Sequence, residues 1–242
     1  KQHATHREEV DEMGLDAFEA LLKKHAVQLV CSTRYPLGPF GLQPEMPMVK
    51  RLGGKLIVSA SKGPKDVVGE EAKAGIKAFL EQMKPHADAA GEHGITLAIE
   101  NHKSALLSSP DSIRYWAEFN THLAMGVAFA PHHLHDAVEQ MPGLIRDLGS
   151  KNLPFIYFQE YGIGSKQTVA KEIELEQLPG YGTLDYKPIL AAMKEVGFNG
   201  HVEIFMHPTP RGIPMLPTPG EITKAINKSR DHIEGLLKEV NA

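Results

Sequence analysis

The chain has 242 residues, 42% hydrophobic and 23% charged, with a formal net charge of -4 and one cysteine. That is enough chain for one sizeable core, and the composition excludes a disordered polypeptide. The acidic balance, with no basic run, gives no electrostatic footprint for nucleic acid or an anionic membrane. The lone Cys31 forms no internal disulfide, so the fold is expected to stand without oxidative cross-links.

No apolar run reaches membrane-span length and no signal peptide is visible, which fits a cytoplasmic protein. The chain opens at Lys1 rather than Met, which leaves room for a removed upstream segment, an export signal included. The expected organisation is one domain over residues 1–242.

Thr5 and Glu8 have capping-box spacing and open a polar helix that Gly14 ends. A second helix carries Leu15, Phe18, Leu21 and Leu22 on one face and leads into a β-rich run at 27–33. The proline-rich stretch 34–47 reads as a loop that walls or covers a site. A strand within 52–61 follows, then a long helix whose stripe is Ala72, Ile76, Phe79, Leu80, Met83, Ala87 and Ala90, with Pro85 expected to bend it.

The next strand, 95–100, is the most informative. Ile95, Leu97 and Ile99 share one face, and Thr96, Ala98, Glu100 and His102 share the other. If the apolar face packs on helices, Glu100 and His102 arrive together at the carboxyl end of the strand, where barrel enzymes keep their chemistry. Ser109-Pro110-Asp111 caps a helix with Ile113, Trp116 and Ala117.

In the run 123–133, Leu123, Met125, Val127 and Phe129 alternate with Ala124, Gly126, Ala128 and Ala130, so a strand bulky outside and tiny inside is expected, with His132 and His133 at its end. After a helix bearing Val138, Met141, Leu144, Ile145 and Leu148, the strand 154–160 is polar only at Gln159 and Glu160. Residues 166–178 read as a surface excursion, and 179–185 as a glycine-rich turn into a helix with Ile189, Leu190, Met193 and Val196.

The last strand, 201–207, places Val202, Ile204 and Met206 outward and His201, Glu203, Phe205 and His207 inward. A second proline-rich loop, holding Arg211, precedes a terminal helix from about Thr218. Strands alternating with helices imply a parallel α/β sheet with right-handed crossovers. About six strands are visible where a closed barrel needs about eight, and the shortfall lies at the amino end.

Three features in order, the 94–102 strand, the Pro179-Gly180-x-Gly182-x-Leu184-Asp185 turn and the Gly197-Phe198-Asn199-Gly200 turn before an acid-bearing last strand, resemble the sugar phosphate isomerase/epimerase group of xylose isomerase-like TIM barrels. The resemblance implies an incomplete (β/α) barrel, a divalent metal, commonly manganese with zinc or magnesium as alternatives, and proton transfer beside a sugar carbonyl. It also implies Glu, Asp, His and Glu ligands from four successive strands. Glu100 matches the first. Ala130 stands where the second acid is expected, so His132 or His133 would substitute; Gln159 and Glu160 stand near the third position, and Phe205 falls on the fourth, with Glu203 and His207 a step to either side.

The expected site is therefore Glu100 and Glu203 as acid/base pair; Glu100, His132, His133 and Glu203 around a metal; and His102, Gln159, Glu160, His207 and Arg211 toward a sugar or sugar phosphate. The expected partner is a small sugar, with no nucleic acid or membrane, and a homo-oligomer is an open alternative. Two other functions stay open. One is a sugar lyase, dehydratase or keto-glycoside cleaving enzyme using the same apparatus. The other is a non-catalytic carbohydrate binder whose metal site has been lost.

Overall fold

The structure, a computed structural model, describes residues 6–241. Two helices, α1 (His6–Met13) and α2 (Leu15–Lys24), precede β1 (Cys31–Thr33), α3 (Met46–Arg51), β2 (Leu56–Ala60), α4 (Gly69–Glu92) and β3 (Thr96–Glu100). There follow α5 (Pro110–Phe119), β4 (Met125–Phe129), α6 (Met141–Leu148), β5 (Phe155–Phe158), α7 (Lys171–Glu174), α8 (Lys187–Glu195), β6 (His201–Ile204) and α9 (Pro219–Asn241). Thr5, the expected cap of α1, lies outside the described residues.

The strands form one parallel sheet in the order β1-β2-β3-β4-β5-β6, a half-barrel wrapped by helices. Among the described residues, β1 and β6 each pair with a single neighbour, so the sheet keeps two open edges. The alternation along each strand sorts side chains onto two layers. Ile57, Leu97, Ile99, Met125, Val127, Phe129, Ile156 and Phe158 face the helices and join the stripe of α4 in the larger core. Leu56, Val58, Ala98, Ala128, Ala130, Phe155 and Tyr157 form a smaller cluster on the concave face.

The concave layer shows why β4 is small. Phe155 and Tyr157 of β5 fill the interior, and alanine or glycine opposite them leaves the room. A Cβ added to Gly126 would lie 2.4 Å from Pro154 Cδ, so nothing larger than glycine fits there.

Several elements differ from the sequence reading. β1 covers only Cys31–Thr33 of the expected run because β2, its one partner, begins at Leu56; Val27 is left exposed. The 34–47 loop, as expected, is more than a connection: it holds two 3-10 turns and the start of α3, and buries Leu42, Glu45 and Met46. The 166–178 stretch lies largely at the surface, as expected, but buries Glu174, Gln177 and Leu178. α4 continues as helix through Pro85. Leu123 precedes β4 and is exposed, and Val202 on edge strand β6 is exposed too. The expected cap of α5 is present: Ser109 accepts from the Ser112 amide, and the Ser112 side chain closes the reciprocal bond.

Candidate active site

The carboxyl ends of β3, β4, β5 and β6 bring the chemistry together. Glu100 is the last residue of β3, on the same face as Ala98, and is 4% exposed. Pro131 opens a 3-10 turn, Pro131–Leu134, right after β4, and this turn carries His132 and His133 back over the sheet. His133 Nε2 lies 3.5 Å from Glu100 Oε1. Ligand atoms of Glu100, His132 and His133 all lie within 4.8 Å of one another.

A cluster of tilted and edge-on rings continues outward from this triad. His102 lies on His133 with ring centroids 3.9 Å apart, and His132 on His133 at 4.0 Å. His132 meets Tyr157 edge-on at 6.1 Å and His207 at 6.4 Å. Phe205, standing where a fourth ligand was expected, contacts His207 at 4.5 Å and Tyr157 at 5.7 Å.

Burial sets the charge states. It pushes Glu100 up to about 8, against a weaker opposing pull from His102. It pushes Glu203 up to about 7, with the charge of Glu100 adding to the rise. The two carboxyls therefore feel each other across the concave face. Burial also drives His132 down to about 2, helped by His133, His102, Arg211 and His135, and His133 down to about 4, helped by Lys103. Both imidazoles are thus neutral at pH 7 and present nitrogen lone pairs.

His132 is 7% exposed, and neither ring nitrogen has a hydrogen-bond partner. Two orphaned nitrogens beside a buried carboxyl are costly unless something is bound there. The donor set, two neutral imidazoles and one carboxylate, fits a divalent cation of the zinc or manganese kind. Glu203 is not part of this three-residue group.

The remaining expected residues divide. Arg211, on the loop after β6, is near enough for its charge to bear on His132. Gln159 is fully buried: its Nε2 donates to Gln177 Oε1 at 2.9 Å, while its own oxygen has no partner. Gln177 in turn accepts from the His207 amide and donates to the His207 carbonyl, both at 3.0 Å. Gln159 thereby braces the segment that carries His207.

Glu160 points to the other side. Its Oε2 accepts from the Leu184 amide at 2.7 Å, with the amides of Thr183 and Gly180 also bonding the carboxyl. The glycine-rich turn thus holds a carboxyl of its own protein, which burial pushes up to about 7 against the opposing pull of those amides. A Cβ at Gly182 would lie 2.3 Å from Glu160 Oε2, which is why glycine sits there.

Two site residues are absent from the sequence reading. Tyr157 is 4% exposed, and its hydroxyl bonds the Thr33 side chain and feels both Glu100 and Glu203. Its place two residues after Phe155 on the inward face was the available clue. Asn101 was hidden by its parity, since it alternates with Glu100 and His102.

A family model described as xylose isomerase-like TIM barrel matches residues 1–232. Among solved structures, D-psicose 3-epimerase with D-tagatose from Clostridium cellulolyticum H10 is similar at TM-score 0.67 and 17% identity, over 93% of this chain and 84% of that one. The IOLI protein with a binding zinc atom is similar at TM-score 0.63 and 18% identity, over 97% and 85%. An L-ribulose 3-epimerase gives TM-score 0.63 and 13% identity, over 94% and 81%. At these identities the likeness establishes the fold alone. No curated protein matches by sequence.

Proposed function

The chain belongs to the xylose isomerase-like TIM barrel family, and from that premise we propose that it is a sugar isomerase or epimerase that moves a proton beside a carbonyl. The observation that carries this reading is the inward carboxyl pair, Glu100 on β3 and Glu203 on β6, each lifted into the neutral range by burial. A general base and a general acid work best with pKa values near the operating pH. Unequal environments assign the roles: at neutral pH Glu203 is partly ionised and accepts a carbon-bound proton, while Glu100 holds one to return.

The step balances without an external redox partner. A C–H bond next to the carbonyl breaks, its electron pair forms the enediolate, and the proton passes to Glu203. Return of a proton to the opposite face of the same carbon gives an epimer, and return to the neighbouring carbon gives an isomer. Glu100, His132 and His133 would hold a divalent metal, which when bound supplies Lewis acidity toward a carbonyl oxygen. Coordination would displace the proton of Glu100, so proton return by Glu100 belongs to the protein without metal and carbonyl polarisation to the protein with it. Tyr157, Phe205, His102 and His133 line this end of the sheet with rings, an apolar wall of the kind that sugar sites use.

The test is exchange of the α-hydrogen of a ketose or aldose panel in deuterated solvent. Glu100→Gln and Glu203→Gln should each abolish exchange while the fold survives; wild-type exchange in both variants would remove the pair from the mechanism. Metal content of the purified protein separates this reading from that of a metal-free carbohydrate binder.

A further inference from the structure

β3 ends its pairing with β4 at Glu100, opposite Ala128. The Asn101 amide still donates to the Ala128 carbonyl at 3.4 Å, while the next amide, that of His102, turns to the Leu107 carbonyl. The Asn101 side chain then continues the ladder. Its Nδ2 donates to the Ala130 carbonyl at 3.0 Å, and its Oδ1 accepts from the Ala130 amide at 2.7 Å. This is a closed amide pair, fully buried, in which the side chain plays the part of one more strand peptide.

Only asparagine meets the geometry. The pair needs a donor and an acceptor side by side, and a flipped amide would put donor against donor and acceptor against acceptor. Ionised aspartate lacks the donor. The position of the clamp matters because of its neighbours. On one strand it sits between Glu100 and His102; on the other it grips the residue just before Pro131, whose ring fixes the entry into the turn bearing His132 and His133. One side chain therefore ties the strand of the carboxyl donor to the turn of both imidazole donors.

We propose that Asn101 is the positioning residue of this site, holding the His132–His133 turn against Glu100 so that the three donors converge. The inference rests on the metal reading of the proposed function. It gives Asn101 no contact with substrate or metal; it acts through the backbone of Ala130. Supporting groups behind metal ligands commonly change affinity by roughly 10- to 100-fold when removed.

The test uses the full chain, with zinc and manganese as separate calorimetric probes and cobalt(II) as an absorption probe of ligand geometry. Asn101→Ala should fold, bind each ion roughly 10- to 100-fold more weakly, and alter the cobalt spectrum. In a His133→Ala background, where Glu100 and His132 still bind, the same substitution should cost clearly less affinity than it does in the wild type, whereas a general loosening of the fold would cost the same in both. If Asn101→Ala does not fold, Asn101→Asp, which keeps the acceptor and loses the donor, carries the same comparison. Wild-type affinity and spectrum in the folded variant overturn the proposal, as does an undiminished loss in the His133→Ala background; both leave the metal reading intact. Failure of the wild-type protein to bind any of the three ions overturns this proposal and the metal reading together.

Discussion

Replacing Glu100 by glutamine should change how stability depends on pH, in a direction that burial alone dictates. The carboxyl ordinarily titrates at 4.5 and is raised to about 8 in the folded protein, chiefly by desolvation. A raised carboxyl means that the folded state binds the proton more tightly than the unfolded state. Its contribution to stability is therefore fully present below 4.5 and is lost as pH climbs through about 8. At about 1.4 kcal/mol per pKa unit, the complete loss is about 5 kcal/mol, a large part of the stability of an ordinary domain.

Glutamine mimics the protonated acid and never ionises, so the variant should escape the loss. Urea unfolding with a chelator present, at about pH 5 and about pH 9, measures it: the variant's advantage should stay below about 1 kcal/mol at the lower pH and reach several kcal/mol at the higher one. Glu203, whose rise owes its second part to Glu100, should also titrate lower in the variant. Parallel stability curves for wild type and variant would refute the assignment of a desolvated, unpaired carboxyl to this strand end.

In metal-free protein, His132→Leu should raise stability at neutral pH by about 1 kcal/mol in urea titrations, because two buried nitrogens without partners disappear; the same variant should lose metal affinity. Burial holds His132 far below its ordinary value, so a further destabilisation, absent above 6.5, grows as pH falls toward about 2 and the unfolded chain takes up the proton. His132→Leu should therefore flatten the acid limb of the stability curve, and an unchanged limb would argue against a buried neutral imidazole. Gly126→Ala should cost about 1–3 kcal/mol, measured as a lowered urea midpoint, since the new methyl would lie 2.4 Å from Pro154 Cδ.

Much of the fold was legible along the chain because the sheet is read by period. Leu97 and Ile99 on one side and Ala98 and Glu100 on the other specify a strand with an acid at its carboxyl end, and the structure keeps those faces on separate clusters. The same rule brought His132 and His133 forward as candidates, since a strand of tiny inward residues ending in two histidines is chemically conspicuous.

Other features depend on partners far away in sequence, and no period carries them. Glu160 and Glu100 both end apolar strands, yet Glu160 turns to the amides of 180–184 while Glu100 meets an imidazole turn. Asn101 reads as the polar residue between two candidates until Ala130, brought alongside by strand pairing, exposes both an amide and a carbonyl to it. Local patterning determines which face a side chain leaves from, because that is a property of backbone geometry. What the side chain meets, and hence its protonation and its role, is decided by pairing and burial, which exist only once the strands have assembled.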